Sequence, residues 1–155
     1  MKYRIILIGP IKTSYIKKGI SQYLKWISKF QKIEFIEIPL SGDLNKISPE
    51  QYKLNDYNKI EKYMENSINI VLDERGENFN SIEFAKKLDK FQCYGKKYIT
   101  FFIGGPLGHH QKIYQSADLI MGLSKMTFTH EMVSLFIAEQ IFRSFKINNN
   151  EKYHY

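Results

Sequence analysis

The sequence predicts an α/β domain built on a mainly parallel sheet, and three observations carry that expectation. Short apolar strand-like runs alternate with helix-like segments along the 155 residues. Most of the runs hold consecutive apolar residues, as in parallel strands buried on both faces, while Ile33–Ile38 alternates. No internal repeat, low-complexity tract or linker divides the chain, and its length fits one domain spanning 1–155.

Each element follows from local pattern. Tyr3–Gly9 is the first strand. Thr13 is placed to cap a helix to about Gln31, because Ile16, Ile20, Tyr23, Leu24, Ile27 and Phe30 recur at helical spacing. Lys18, Lys25, Lys29 and Lys32 fall on its opposite face. Ile33–Ile38 is a second strand, stopped by Pro39. Ser48-Pro49-Glu50 starts a helix, a capping serine followed by proline at the first helical position. Ser67–Leu72 is a third strand, Ser81 opens a helix through Phe91, and Lys97–Ile103 is a fourth strand. The turn Gly104-Gly-Pro-Leu-Gly108 then opens a helix from about Pro106 to Gln115. A fifth strand lies near Leu119–Met121, followed by the loop Gly122–Thr129, a final helix from about His130 to Lys146, and a polar tail to Tyr155.

That last helix carries two apolar stripes. Met132, Val133, Phe136, Ile137, Ile141 and Phe145 suit the sheet, while Leu135, Ala138 and Phe142 form a second stripe. A helix apolar on two sides must bury both. In so short a chain, the second stripe is expected to meet another subunit.

Composition excludes several classes. No apolar run approaches the roughly 18 residues of a membrane span, and Met1–Gly9 reads as a strand, not a signal peptide. Cys93 is the only cysteine, so no internal disulfide or CxxC site can form, and a reducing cytoplasm is the simple expectation. With one Cys and no HxxxH, no metal site is expected. The formal net charge is +7, and it is unevenly spread. Met1–Ile33 holds eight basic residues and no acidic one. A one-sign block attracts a polyanion such as RNA, and equally describes a solvated lysine-rich helix face.

Three segments could carry chemistry. Glycines at Gly104, Gly105 and Gly108 let a ligand approach the backbone after a buried strand. The turn is neither GxGxxG nor a P-loop; alone, it suits a tight strand–helix connection equally well. Leu123-Ser-Lys-Met-Thr-Phe-Thr-His130 places polar groups at a strand's C-terminal end, where ligands of open α/β sheets bind. The same segment reads as a plain helix start, with Thr129 as cap. Glu139, Arg143, Tyr153 and His154 form the third set. A surface ion pair and a disordered end are the ordinary explanations there.

In order along the chain, Leu72-Asp-Glu-Arg-Gly76, Ser81-Ile-Glu-Phe-Ala85, Phe102-Ile-Gly-Gly-Pro-Leu-Gly108, Leu123-Ser-Lys-Met-Thr-Phe-Thr-His130, Glu139-Gln-Ile-Phe-Arg143 and the terminal Tyr153-His154 resemble the RlmH family. These are SPOUT-class methyltransferases acting on pseudouridine of large-subunit ribosomal RNA. The resemblance covers essentially the full length. It implies an α/β knot with a C-terminal trefoil, an exception to the rule that chains avoid knots. It implies S-adenosyl-L-methionine (SAM) held in the knot by Leu72, Gly104, Gly105, Gly108 and the loop residues Leu123, Ser124, Lys125, Met126, Thr127 and Phe128. It also implies a homodimer, with the final helix in its interface. The chain departs from the family at Thr129 and Lys152, where Pro is common, at Ser134, where Arg is common, and at Asn150, where Gly is usual.

The function implied is methylation of N3 of a pseudouridine in large-subunit ribosomal RNA, with a ribosomal particle as the expected partner. An imide nitrogen is a poor nucleophile until its proton leaves. His154 is the tail group whose ordinary pKa suits a general base, Arg143 could stabilise the anion or hold phosphate, and Tyr153 could stack on the flipped base. Lys18, Lys25, Lys29 and Lys32 would contact RNA phosphate. The competing readings are a doubly wound nucleotide-binding enzyme, which lacks its acidic ribose ligand, and a non-catalytic RNA-binding or ribosome-assembly module of the same fold.

Overall fold

The computed structural model describes residues 1–155 and contains one five-stranded sheet. The strands are β1 (Lys2–Ile8), β2 (Ile33–Ile38), β3 (Ser67–Asn78), β4 (Tyr98–Ile103) and β5 (Leu119–Gly122), in the order β2-β1-β4-β3-β5. Every pairing is parallel. The helices are α1 (Ser14–Ile27), α2 (Pro49–Ile60), α3 (Ser81–Gln92), α4 (Gln111–Gln115) and α5 (His130–Asn148).

Alternation along the strands sorts side chains into two cores. Tyr3, Ile5, Leu7, Ile70, Phe101 and Ile103 face α1, α3 and α5, which together bury the larger core. Ile6, Ile8, Val71 and Phe102 face the other way, toward Ile60 of α2 and Ile113 of α4. Both faces are therefore covered, as the apolar runs require.

Helix ends are set by local hydrogen bonding. Ser48 caps α2 by accepting from the Gln51 N–H, and Asn80 and Glu83 form a reciprocal capping box at the start of α3. Thr13 stands at the N-cap of α1 without capping it, because its hydroxyl donates to Glu131 instead. α1 also ends at Ile27, earlier than expected, so Lys29 and Lys32 lie beyond the helix.

The second stripe of α5 corrects the sequence expectation. Ala138 and Phe142 are buried within this chain. The Phe142 ring lies 6.1 Å from Tyr23, 5.3 Å from Trp26 and 6.3 Å from Phe30. Leu135 reaches Gly19, where an added Cβ would lie 2.9 Å from Leu135 Cδ1. α1 covers the stripe, and no second subunit is needed for it. The apolar pattern of a helix reports that a face is buried, not what buries it.

β3 runs six residues past the apolar segment, through Asp73-Glu-Arg-Gly-Glu-Asn78. Met121 pairs first with Leu72 and then with Glu77, so Asp73–Gly76 bulges out of the ladder. Gly76 fits because it lies against bare backbone. A Cβ there would stand 2.7 Å from Ile120 C, Met121 N and Met121 C. Gly76→Ala is therefore expected to lower unfolding stability by about 1–3 kcal/mol, the usual range for overpacking. Urea denaturation measures it, and wild-type stability in the variant would contradict the contact.

Candidate active site

The C-terminal ends of β3, β4 and β5 enclose a cleft of about 900 Å³, within the usual size of small-molecule sites. Its apolar wall includes Leu72, Ile103, Met121, Leu123, Phe128 and Val133. Its polar wall carries Asp73, Glu74 and Glu131 together with Lys53 and Arg75.

The glycine turn forms one rim. Gly108 N–H donates to Gly105 O at 3.0 Å, and Gly108 sits at φ +76°, where glycine is favoured. A Cβ on Gly104 would come within 3.2 Å of Gly108 C. His109 holds the turn from below, its Nε2 3.3 Å from Phe102 O. Burial pushes that imidazole down to about 4, so it is neutral near pH 7. The turn does not open a helix, contrary to the sequence expectation. α4 begins only at Gln111, where His110 caps it by accepting from the Lys112 N–H. The turn therefore offers no helix-start amides and contributes a close-packed backbone rim instead.

The loop after β5 forms the opposite rim. Ser124 Oγ accepts from Met126 N–H at 3.0 Å, and Thr127 donates its hydroxyl to Glu74. Thr129 caps α5 by accepting from Met132 N–H at 3.2 Å, and Phe128 packs edge-on against Phe136 with centroids 5.2 Å apart. Leu72, Gly104, Gly105, Gly108, Leu123, Ser124, Met126, Thr127 and Phe128 all line the cleft. Lys125 is exposed and stands outside this set.

Sequence reasoning passed over the acidic network. Asp73 accepts from Tyr114 Oη at 2.6 Å and from Arg75 NH2 at 2.8 Å. The Arg75 guanidinium holds the Asp73 carboxyl below the ordinary carboxylate range, and burial pushes the Tyr114 phenol up to about 12. Glu131 accepts from Lys12 N–H at 2.8 Å and Thr13 N–H at 2.9 Å, tying the α1 start to the cleft. Those backbone donors hold its carboxyl down as well. The available signal was the polar run after an apolar strand, which marks side chains at a strand's C-terminal edge.

The third set of sequence candidates is gathered on α5. Glu139 Oε1 accepts from Arg143 Nε at 3.0 Å and NH2 at 2.6 Å, and from Tyr153 Oη at 3.1 Å. Arg143 NH1 lies 3.2 Å from His154 Nδ1. The Tyr153 ring packs edge-on against Phe142 at 4.9 Å, and burial raises its phenol well above the ordinary range. The tail is thus held on its own helix rather than left loose. His154 lines a second chamber of about 650 Å³, together with Ser81, Phe136 and Gln140. Met121, Leu123, Ser124 and Phe128 border both spaces. Lys18, Lys25, Lys29 and Lys32 are all exposed, but only Lys18 and Lys25 belong to α1. Ser134 is buried, its hydroxyl donating to His130 O at 2.8 Å, so the position lies off the surface. No group of three or more His, Cys, Asp or Glu is placed to hold a metal ion, and no helix is long and apolar enough to cross a membrane.

Comparison with known proteins identifies the family. The family model described as "Predicted SPOUT methyltransferase" matches residues 1–154. A protein of Acetivibrio thermocellus named ribosomal RNA large subunit methyltransferase H is 39% identical over 99% of both chains. Proteins of the same name from Kosmotoga olearia and Dictyoglomus thermophilum are 40% and 41% identical over 100% of both. Among solved structures, the tRNA (m1G37) methyltransferase of Aquifex aeolicus matches with a TM-score of 0.54, over 92% of this chain and 70% of that one. At 16% identity, that likeness concerns the fold alone. The chain belongs to the SPOUT methyltransferase family, among relatives named ribosomal RNA large subunit methyltransferase H.

Proposed function

We propose that the protein methylates N3 of a pseudouridine in large-subunit ribosomal RNA, using SAM held in the cleft. One observation carries this reading: the cleft and the chamber that His154 lines share the wall formed by Met121, Leu123, Ser124 and Phe128. A methyl donor on one side and an acceptor base on the other would meet across that wall.

The residues fit the donor. Leu72, Ile103, Leu123 and Phe128 offer an apolar surface for an adenine ring, and the glycine rim leaves the backbone open to close approach. The carboxylates of Asp73, Glu74 and Glu131 outnumber the cations Lys53 and Arg75 in the lining, a balance that suits a cationic ligand. When bound, SAM supplies an electrophilic methyl group on a positive sulfonium. The chain itself must exclude water, align the acceptor nitrogen and favour the imide anion. Alignment alone can contribute on the order of 7 kcal/mol to lowering the barrier. Arg143, held by Glu139 and directed at His154, would favour the anion by its charge, while the Tyr153 ring, packed between Phe142 and Arg143, would hold the tail in place.

The full reading includes one domain over residues 1–155, the trefoil knot of the family, cytoplasmic action on a ribosomal particle, and a homodimer with a composite pocket. The exposed apolar rim of Ile82 (45% exposed) and Phe128 (37%), at the mouth of the His154 chamber, supports the dimer. The four exposed lysines at 18, 25, 29 and 32 support a phosphate-contacting face.

Wild-type protein is expected to bind SAM by calorimetry. Gly104→Val should weaken binding at least about tenfold while remaining folded, since 1–3 kcal/mol of overpacking would displace the turn. Folded wild type giving no heat of binding would contradict the assignment. Changing Lys18, Lys25, Lys29 and Lys32 together to Gln should leave SAM affinity unchanged. It should also flatten the salt dependence of RNA binding by about 3 in log–log slope, at roughly 0.7 per phosphate contact. An unchanged slope would mean that the face is only solvated.

A further inference from the structure

We infer that His154 serves as a hydrogen-bond donor to the acceptor base through Nε2–H, and not as the base that removes its proton. This rests on the methyl-transfer reading above. Arg143 spends Nε and NH2 on Glu139 and directs NH1 at His154 Nδ1, 3.2 Å away. A guanidinium has donors only and keeps its proton in proteins. Nδ1 must therefore accept, which leaves the ring proton of a neutral imidazole on Nε2. A doubly protonated ring would point N–H at N–H. A neutral ring in this tautomer has no free lone pair with which to take a proton, because Nδ1 is occupied and Nε2 already carries hydrogen.

The orientation is fixed from behind. Glu139 Oε1 takes both Arg143 bonds and the Tyr153 hydroxyl at 3.1 Å, and Glu139 Oε2 accepts from Gln140 Nε2 at 2.7 Å. Gln140 Oε1 in turn accepts from Ser81 Oγ at 2.7 Å, at the start of α3. Glu139 is thus a positioning residue for His154. Of the other titratable groups around this cluster, Tyr23 faces Tyr153, and Lys146 is paired with Glu151. His154 itself faces the chamber wall shared with the cleft.

This role suits the reaction. The imide proton passes to water or hydroxide, the nitrogen electron pair forms the new N–C bond, and the pair of the broken C–S bond stays on sulfur. The negative charge gathers on the carbonyl oxygens flanking N3, where an N–H donor backed by a guanidinium would stabilise it.

The test compares His154→Gln, which keeps a donor but no ring base, with His154→Ala. Methylation of ribosomal RNA is followed from pH 6 to 9. Gln should retain at least a tenth of the wild-type rate and Ala should lose about 100-fold, the scale of one lost donor. The wild-type rate should keep rising with pH across that range, as the free imide anion does. Equal losses in both variants, with a wild-type rate that levels off within the range, would overturn the assignment. Nitrogen-15 NMR of the full chain gives a readout independent of turnover. The Nε2–H tautomer is expected in wild type and should be lost from the majority in Glu139→Gln, whereas Nδ1–H in wild type would overturn the proposal. A wild type that binds SAM but methylates no ribosomal RNA would defeat the functional reading, and this donor role with it. That result is distinct from an active wild type with equal variants.

Discussion

The reactive side of the molecule depends on how closely two stretches of backbone approach at Gly76. Because no side chain intervenes there, β5 can lie against the bulge of β3, and Met121 can pair on both sides of it. The bulge turns Asp73 toward Tyr114 and lets Glu74 meet Thr127. The polar wall of the cleft and the anchoring of its loop are both consequences of that contact. A larger residue would push β5 outward and separate the loop from the wall that holds it.

The tail depends on the core in a similar way. Phe142 is packed against three aromatic rings of the first helix region, and Tyr153 packs on Phe142 in turn. The terminal residues are ordered because an aromatic cluster in the interior extends to them, and Glu139 adds direction through charge-assisted bonds. A dimer would therefore receive a tail already shaped, with little further ordering entropy to lose.

Much of this was legible in the sequence, for identifiable reasons. The strands could be read because parallel strands buried on both faces carry consecutive apolar residues, as in Ile70–Leu72 and Phe101–Ile103. Ser48 before Pro49 marked a helix start because that pair has a specific hydrogen-bonding use. The glycine turn and the loop after β5 were found, and nearly all their chosen residues do meet in one cleft. What escaped was whatever hydrophobicity does not encode. β3 continues beyond Leu72 by backbone pairing alone, so the polar residues of its extension looked like a loop. Asp73 and Glu131 act through partners 41 and over 100 positions away, which no local pattern reveals. The second stripe of α5 was correctly read as buried and wrongly given to another subunit, since pattern cannot name the covering surface.

The most direct test of the account is mass mapping of large-subunit ribosomal RNA from cells with and without this gene, followed by treatment of the deficient ribosomes with purified protein and labelled SAM. The account predicts one pseudouridine that carries a methyl group only when the gene is present, with label restored at that nucleotide in vitro. Identical methylation in both strains, and no label transferred by protein shown to bind SAM, would contradict it.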